Sequence, residues 1–459
     1  MNKMKNKVDM TTGPILRKAL IFALPIIVGN ILQQLYTTVD TLVIGNYCGS
    51  TSLAAVGTSS QPVEVLVSLF LGVGSGVSIL VSQAIGAKKR ERINGLLKTA
   101  ITFVFMCGIP LGIIGYLCTP FILRVMGVPE DTWSYAMAYT QIVFLGTLGN
   151  LGYNMNAGVL NGMGDSGASM LFLVASCISN IVLDLVFVAG VGMDVSGAAL
   201  STSIAMYISW AISIIYIKRK YPELNYTVLP RGLDKDILKR ILSIGIPIGL
   251  NNSLYSFGHM AIQTLVNAQG STFMAGASVA GRVTGISNIA ITGLSSAATT
   301  FSGQNYGAEN YKRLKKGHLL IPFVSGAITL SFGLIVIGLR MPILRFFTRD
   351  EAVLVYASRY VVVMLLSQWI YAVFNAIHNI VNGTGHVRYT TTVNLMMLWV
   401  VRIPVAYLID HFFDGTYLML CFPISFAFGM FAMLGYYIFA PAWKDIMKKA
   451  DAEELSECS

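Results

Sequence analysis

Charge is scarce in this chain. Asp, Glu, Lys and Arg make up only 12% of 459 residues, where soluble domains carry about 25%. So little charge cannot wet a globular surface, which excludes a soluble enzyme and a disordered regulator. Cysteines are few and scattered. The six are Cys48, Cys107, Cys118, Cys177, Cys421 and Cys458, with no Cys-x-x-Cys or other ligand spacing, so neither a disulfide scaffold nor a metal cluster follows. Cys107, Cys118, Cys177 and Cys421 fall inside apolar runs, where a thiol behaves as a small hydrophobe. Catalytic signatures are missing too. No G-x-x-x-x-G-K-[ST], H-E-x-x-H or G-x-S-x-G occurs, so direct ATP hydrolysis and the common hydrolase chemistries have no support.

What is present is apolar. Hydrophobic residues make up 54% of the chain and its mean hydropathy is +0.66. Apolar segments recur at 16–45, 53–86, 99–124, 132–156, 168–190, 197–217, 241–266, 273–305, 319–345, 352–376, 390–410 and 416–440. Each of the twelve can cross a hydrocarbon layer of about 30 Å. Only a helix satisfies its own backbone in lipid at such lengths, and the ten-residue alternation of a barrel is absent. The fold class is therefore an all-α integral membrane protein with twelve transmembrane helices. The polar, basic stretch Met1 to Met10 precedes an apolar run without a small-residue cleavage site, which reads as a first span and not a signal peptide.

The formal net charge of +10 is explained by topology. Lys3, Lys5, Lys7, Arg17, Lys18, the Lys88–Lys98 loop, the Lys218–Arg240 stretch, Lys312 to Lys316, Arg388 and Lys444 to Lys449 all fall on one side if both termini do. That side holds most of the 32 basic residues. The other has Arg124, Arg345 and Arg349, partly offset by Glu130, Asp131, Asp350, Glu351, Asp410 and Asp414. The positive side is cytoplasmic, which places both termini in the cytoplasm of a bacterium's inner membrane. Nucleic acid is not a partner.

The Lys218–Arg240 stretch, with Pro222 and Pro230, divides the spans six and six. The domains are read as an N-terminal lobe over 1–217, a basic linker over 218–240, a C-terminal lobe over 241–440 and a cytoplasmic tail over 441–459. The lobes look like repeats. At a constant shift of 221, Gln83, Gly86 and Ala87 meet Gln304, Gly307 and Ala308. Tyr139 meets Tyr360, Asn154 meets Asn375, and Asn161, Gly162 and Gly164 meet Asn382, Gly383 and Gly385. With one residue of slip, Pro25 and Asn30 meet Pro247 and Asn252. Six is even, so the expectation is two pseudo-symmetric six-helix bundles, parallel repeats suited to a site between halves and to rocking.

A carboxylate at mid-bilayer costs at least ~2.5 kcal/mol. Asp40, Glu64 and Asp184 lie well inside predicted spans, all in the first half; the repeat partners of Asp40 and Asp184 are about Ala261 and Val405. Ser176, Asn180 and Asp184 form one stripe at i, i+4 and i+8. Gln33 and Thr37 share nearly the face of Asp40. Two such stripes facing each other make an oxygen-lined site for a hard cation such as Na⁺. Two carboxylates there cannot both stay ionised without a cation; otherwise one takes a proton, the dyad titrating as a unit. A structural hydrogen-bond role is the alternative for both, and is favoured for Glu64 behind Pro62. Arg402 reads as a helix tie through backbone carbonyls. Arg282 has no assigned role, and His259 and His378 read either as cavity lining or as packed polar residues. Gly72 and Gly76 form a Gly-x-x-x-Gly for close helix approach. The 21 Tyr, 23 Phe and 21 Met fit an adaptable cavity, although ordinary packing accounts for most of them.

At this point the chain resembles the multidrug and toxic compound extrusion (MATE) family of cation-coupled exporters. The opening "TTGPILRKALIFALPIIVGNILQQLYTTVDTLVIG", "SLAAVG" at 52–57, "ILVSQAIGA" at 79–87, "GVLNGMGD" at 158–165 and "RIPVAYLI" at 402–409 match its recurrent pieces in order. The resemblance implies a cation-coupling set of Asp40, Tyr139, Asn180, Asp184 and Thr202, with Na⁺ possible at Asp40, Asn180, Asp184 and Thr202. It also implies that Gln34 and Asn154 face a substrate cavity. No acid falls in 241–266, which places the chain nearer the DNA-damage-inducible and archaeal-like branch. The expected function is multidrug export by alternating access, an antiport driven by H⁺ or Na⁺ influx. The expected partners are small amphipathic or cationic organic substrates, handled by a monomer without cofactor. A lipid-linked oligosaccharide flippase of the same broad superfamily is the nearest alternative; an intramembrane enzyme such as an acyltransferase is the alternative of another class.

Overall fold

The computed structural model describes residues 8–413 and 415–458, without the side chains of 50–51, 53–54, 58–66, 90 and 456–458. Lys3, Lys5, Lys7, Asp414 and the side chains of Glu64, Arg90 and Cys458 therefore lie outside the description. Helices account for nearly all of it, and the described residues contain no strand. In chain order they are α1 (Ile15–Tyr47), α2 (Gly49–Gly86), α3 (Arg90–Val125), α4 (Glu130–Met163), α5 (Ser166–Asp184) and α6 (Asp194–Lys220). After the linker come α7 (Lys235–Ala268), α8 (Ser271–Gly307), α9 (Tyr311–Gly338), the short α10 (Arg340–Phe347) and α11 (Glu351–Gly383). α12 (Val387–Leu395), α13 (Ile403–Phe412), α14 (Cys421–Phe439) and α15 (Pro441–Cys458) complete the chain. A π-helical turn, Leu185–Gly190, extends α5, and another, Met396–Arg402, joins α12 to α13 as one rod.

Among the described residues, nine rods are long and apolar enough to cross a bilayer by length and composition. α4, α7 and α8, with 34, 34 and 37 residues, are as long but more polar. Together they make the twelve expected spans. One span differs from the sequence reading. The apolar run 319–345 is broken at Leu339, and Arg340 begins a separate helix. Its guanidinium bonds Ser358 Oγ at 3.1 Å and the Ile337 carbonyl at 3.0 Å, satisfying donors that continuous apolar surface would leave bare.

Packing divides the chain into two compact units, one holding Val28–Ser253 and the other Asp9–Ile27 with Leu254–Ser459. These boundaries fall inside α1 and α7, shortly after Pro25 and Pro247, and not at the 218–240 linker. A helix-interior proline removes one backbone bond and loosens the rod there. In the first unit the start of α7 lies so close to α2 that a Cβ on Gly72 would stand 2.1 Å from the Gly249 nitrogen. One on Gly76 would stand 2.9 Å from the nitrogen of Gly245. The Gly-x-x-x-Gly at 72 and 76 thus meets a second one at 245 and 249. Gly74, on the other face of α2, serves α4: a Cβ on Gly158 would reach Gly74 O at 2.4 Å. In the second unit, Gly293 of α8 admits Ile27 of α1 in the same way, at 2.4 Å.

The repeat holds at the level of the backbone. Lys88 and Glu309, 221 residues apart, both take a left-handed conformation, with φ of 56° and 57°. Ala87 and Ala308 donate to Gln83 and Gln304 at 2.9 Å in each case, and Lys89 and Asn310 donate to Ala84 and Asn305 at 3.1 and 3.0 Å. Gly164 and Gly385, with φ of 88° and 93°, end α4 and α11. Past each turn, Ser169 and Thr390 donate to Asn161 and Asn382 at 3.1 and 2.5 Å. These pairings share one register, so each half uses the same local solution to the same turn.

The α4–α5 turn also carries a lock. Asp165, 1% exposed, accepts from Tyr216 and Lys220 at 2.8 Å and from Tyr221 at 2.7 Å. At the other end of the chain α15 docks on α9. Trp443 is buried and stacked on Tyr437 at 4.5 Å, and Lys315 pairs with Asp451 and Glu454 at 2.6 and 3.1 Å.

Candidate functional site

The first unit brings its two intramembrane aspartates together. Asp184 ends α5 where the π turn begins, a distortion that recurs at functional sites because it frees and re-aims side chains. It is fully buried, as are Ser176 and Asn180 at 3% and 2% exposure, so the whole expected stripe faces inward. Asp40 of α1 and Ser201 of α6 stand beside Asp184, and the two carboxylates are close enough to feel each other. Asn180 donates its amide to Thr202 Oγ1 at 3.2 Å, which leaves the amide oxygen free. Tyr139 of α4 is close enough to feel both carboxylates. All five residues of the expected coupling set therefore converge.

The unmet oxygens define what the site can hold. Asp40 Oδ1, both oxygens of Asp184 and Asn180 Oδ1 are buried without a hydrogen-bond partner. Burying one acceptor unsatisfied costs about 1–3 kcal/mol, and more when it is charged. Two carboxylates at this distance also repel, and low dielectric sharpens the repulsion. A single cation relieves both penalties. A proton shared between the carboxyl groups turns one into a donor, and Na⁺ takes the same oxygens as ligands. The donor set fits either ion.

Sequence reasoning missed a neighbour. Tyr36 stands beside Asp40, Cys177 and Asp184. The available signal was its i, i+4 spacing to Asp40. Gln33 and Thr37, expected on the Asp40 face, are exposed, and Thr37 Oγ1 turns back to the Gln33 and Gln34 carbonyls, at 3.0 Å each. Gln34 is exposed, while Asn154 spends its amide on Asn150 O and Oδ1, at 2.9 and 2.8 Å.

The second unit has a polar centre of the opposite sign. A cavity of about 330 Å³ is lined by residues that include Tyr255, His259, Tyr360, Gln368, Tyr371 and Asn375. Tyr360 and Asn375 are the repeat counterparts of Tyr139 and Asn154. Behind the wall lies Arg402, 1% exposed. Its donors go to side-chain hydroxyls and not to the carbonyls expected: Nε to Ser425 Oγ at 2.9 Å and Nη1 to Tyr255 OH at 3.0 Å. His378 is buried edge-to-face on Phe374 at 5.6 Å, so only His259 of the two lines a cavity. Arg282 is exposed.

Comparison with known proteins agrees with this duplicated layout. The MatE family model matches the chain twice, over residues 25–186 and 247–408. The probable multidrug resistance protein YoeA of Bacillus subtilis is 28% identical over 440 residues, 93% of this chain and 94% of that protein. The multidrug export protein MepA of Staphylococcus aureus (strain N315) is 24% identical over 408 residues, covering 88% and 89%. Among solved structures, an outward-facing multidrug resistance MATE family transporter of the MOP superfamily superposes with a TM-score of 0.88. It is 22% identical and is covered at 98% of this chain and 100% of that one.

Proposed function

Because the chain belongs to the MatE family, we propose that it is a secondary-active multidrug exporter in which the Asp40–Asp184 pair couples export to the influx of H⁺ or Na⁺. It is a transporter and not an enzyme, a multi-pass membrane protein whose family handles small organic compounds. The observation that carries the coupling is the cluster of acceptors without donors: Asp40 Oδ1, Asp184 Oδ1 and Oδ2, and Asn180 Oδ1. A site built only of oxygens, in a membrane, is incomplete until a cation arrives.

The proposed cycle follows from that incompleteness. With the pair ionised, the first unit holds excess negative charge that an amphipathic cation can neutralise. When H⁺ or Na⁺ enters from outside, the same charge is cancelled and the organic cation loses its attraction. Pro25 interrupts α1 between the Asp40 end and the end that packs in the second unit, so α1 is a natural lever for this exchange. Release of the ion to the cytoplasm resets the pair, and alternating access of the two halves completes the turnover. The positive side is taken as cytoplasmic, with both termini there and the protein a monomer in the bacterial inner membrane.

The test is export in cells. In a bacterium stripped of its own efflux pumps, Asp40→Asn and Asp184→Asn should each drop resistance to ethidium to the level of empty vector, with membrane expression unchanged. Undiminished resistance in both variants would remove the coupling role.

A further inference from the structure

Among the described residues, Arg402 is a buried cation without a counter-ion. No carboxylate is among its described partners; its contacts are Ser425, Tyr255 and the rings of Phe422 and Phe426, at 4.9 and 5.1 Å. Nη2 is buried and has no acceptor. Among the described residues, the acids nearest in sequence are engaged elsewhere: Asp410 accepts from Gln269 at 2.5 Å, and Asp445 pairs with Lys449 at 3.0 Å. Aromatic faces attract a guanidinium, but they do not neutralise it. A positive charge held at membrane depth calls for a partner.

The surroundings show where that partner would sit. Tyr255, Phe422 and Phe426, which touch the guanidinium, also line the 330 Å³ cavity. Tyr255 accepts from Arg402 at 3.0 Å, and Tyr371 lines the same cavity wall. A hydroxyl polarised by the cation becomes a stronger donor, so Tyr255 carries positive potential to the wall. Tyr371 and Phe426 pack on each other with ring centroids 4.7 Å apart and give the cavity an aromatic wall against which a flat ring can lie. The repeat sharpens the contrast. The π turn before Arg402 accommodates one extra residue, and at the resulting shift of 222 Arg402 falls at the place of Asn180.

From this geometry we propose that the second unit's cavity binds the anionic group of an aromatic organic acid, with Arg402 and the Tyr255 and Tyr371 hydroxyls as its recognition elements. As cargo, such acids extend the substrate range beyond cations. That extension rests on the transport reading, but the binding site does not.

Binding is measured on the full-length protein in lipid nanodiscs, with 1-naphthoate, the neutral 1-naphthalenemethanol and the cationic 1-naphthylmethylamine. Naphthoate should bind at least tenfold tighter than the alcohol. Arg402→Gln should erase that preference, and Arg402→Lys should keep part of it. Equal binding of acid and alcohol by the wild type, or a preference undiminished in Arg402→Gln, overturns the proposal. Because Arg402→Gln can lose its fold, the wild type is also soaked with 6-bromo-2-naphthoate and the bromine located by anomalous scattering. A peak among Tyr255, Tyr371 and Phe426 supports the site; its absence there at saturating ligand overturns it. Naphthoate binding in a protein that fails to move ethidium would sink the transport reading alone. Ethidium transport without naphthoate selectivity would sink this inference alone.

Discussion

At the scale of single residues, the argument turns on unmet polar atoms in a medium that cannot meet them. Asp40 and Asp184 were legible in the sequence because a carboxylate in a long apolar run stands out against its cost. Asn180 was legible as the next turn of the same stripe. Tyr36 was not, because tyrosine is ordinary in membrane helices and only the approach of α1 to α5 sets it beside Asp184. Graded effects should separate the members. Thr202→Ala removes the acceptor that holds Asn180 and should cost about 1 kcal/mol of positioning, a roughly fivefold rise in the ion concentration giving half-maximal transport. Turnover at saturating ion should be unchanged, and ion titration of efflux in vesicles checks both. Equal loss at every ion concentration would mean that Thr202 serves the fold and not the ion. Asp165 is a contrasting acid. Three donors already satisfy it, and it is a structural brace. A buried donor left unsatisfied costs about 1–3 kcal/mol, so Asp165→Ala, which strands the donors of Tyr216, Lys220 and Tyr221 together, should lower the melting temperature in detergent more than Tyr221→Phe, which removes one of the three.

At the scale of helices, the glycines decide which rods can touch. The G-x-x-x-G reading of 72 and 76 was available from spelling. Its partner pair at 245 and 249 was not, because sequence alone does not say that the start of α7 lies against α2. Gly249→Leu should push that contact apart, since even a Cβ there would stand 2.3 Å from Leu69 O. The expected result is a clear drop in thermal stability, and Gly249→Ala should already show part of it, with Gly281→Ala, where nothing lies within 4 Å, as the neutral control. The two left-handed glycines make a paired prediction. Gly164→Ala and Gly385→Ala should each destabilise by about 1–2 kcal/mol. Similar losses at both sites are the energetic counterpart of the shared register. The breaks in regular structure were the least legible elements. The π turn after Asp184 has no proline or glycine close ahead of it in α5 to announce it, whereas the halt at Leu339 lies between Gly338 and Pro342, a signal that the length of the apolar run 319–345 outweighed.

At the scale of the whole molecule, twelve spans and a six-plus-six repeat could be read from hydropathy and a constant shift, since both are periodic signals that survive divergence. The packing units could not. Loops mark where a chain leaves the membrane, whereas packing follows the prolines inside α1 and α7, and the two divisions differ by one helical segment at each lobe. Charge bias sets the predicted orientation. In a cysteine-free background, new cysteines at Lys88 and Lys312 should be protected from an impermeant maleimide in intact cells, and one at Arg349 should be labelled. The reverse pattern would invert the topology and with it the direction of coupling. The most direct test of the coupling pair is transport by purified protein in inside-out proteoliposomes holding entrapped DNA, with ethidium outside and a lumen loaded first with acid and then with Na⁺. Wild type should accumulate ethidium on at least one outward ion gradient, while Asp40→Asn and Asp184→Asn accumulate none. Equal accumulation by the variants, or a wild type indifferent to both gradients, would contradict the account.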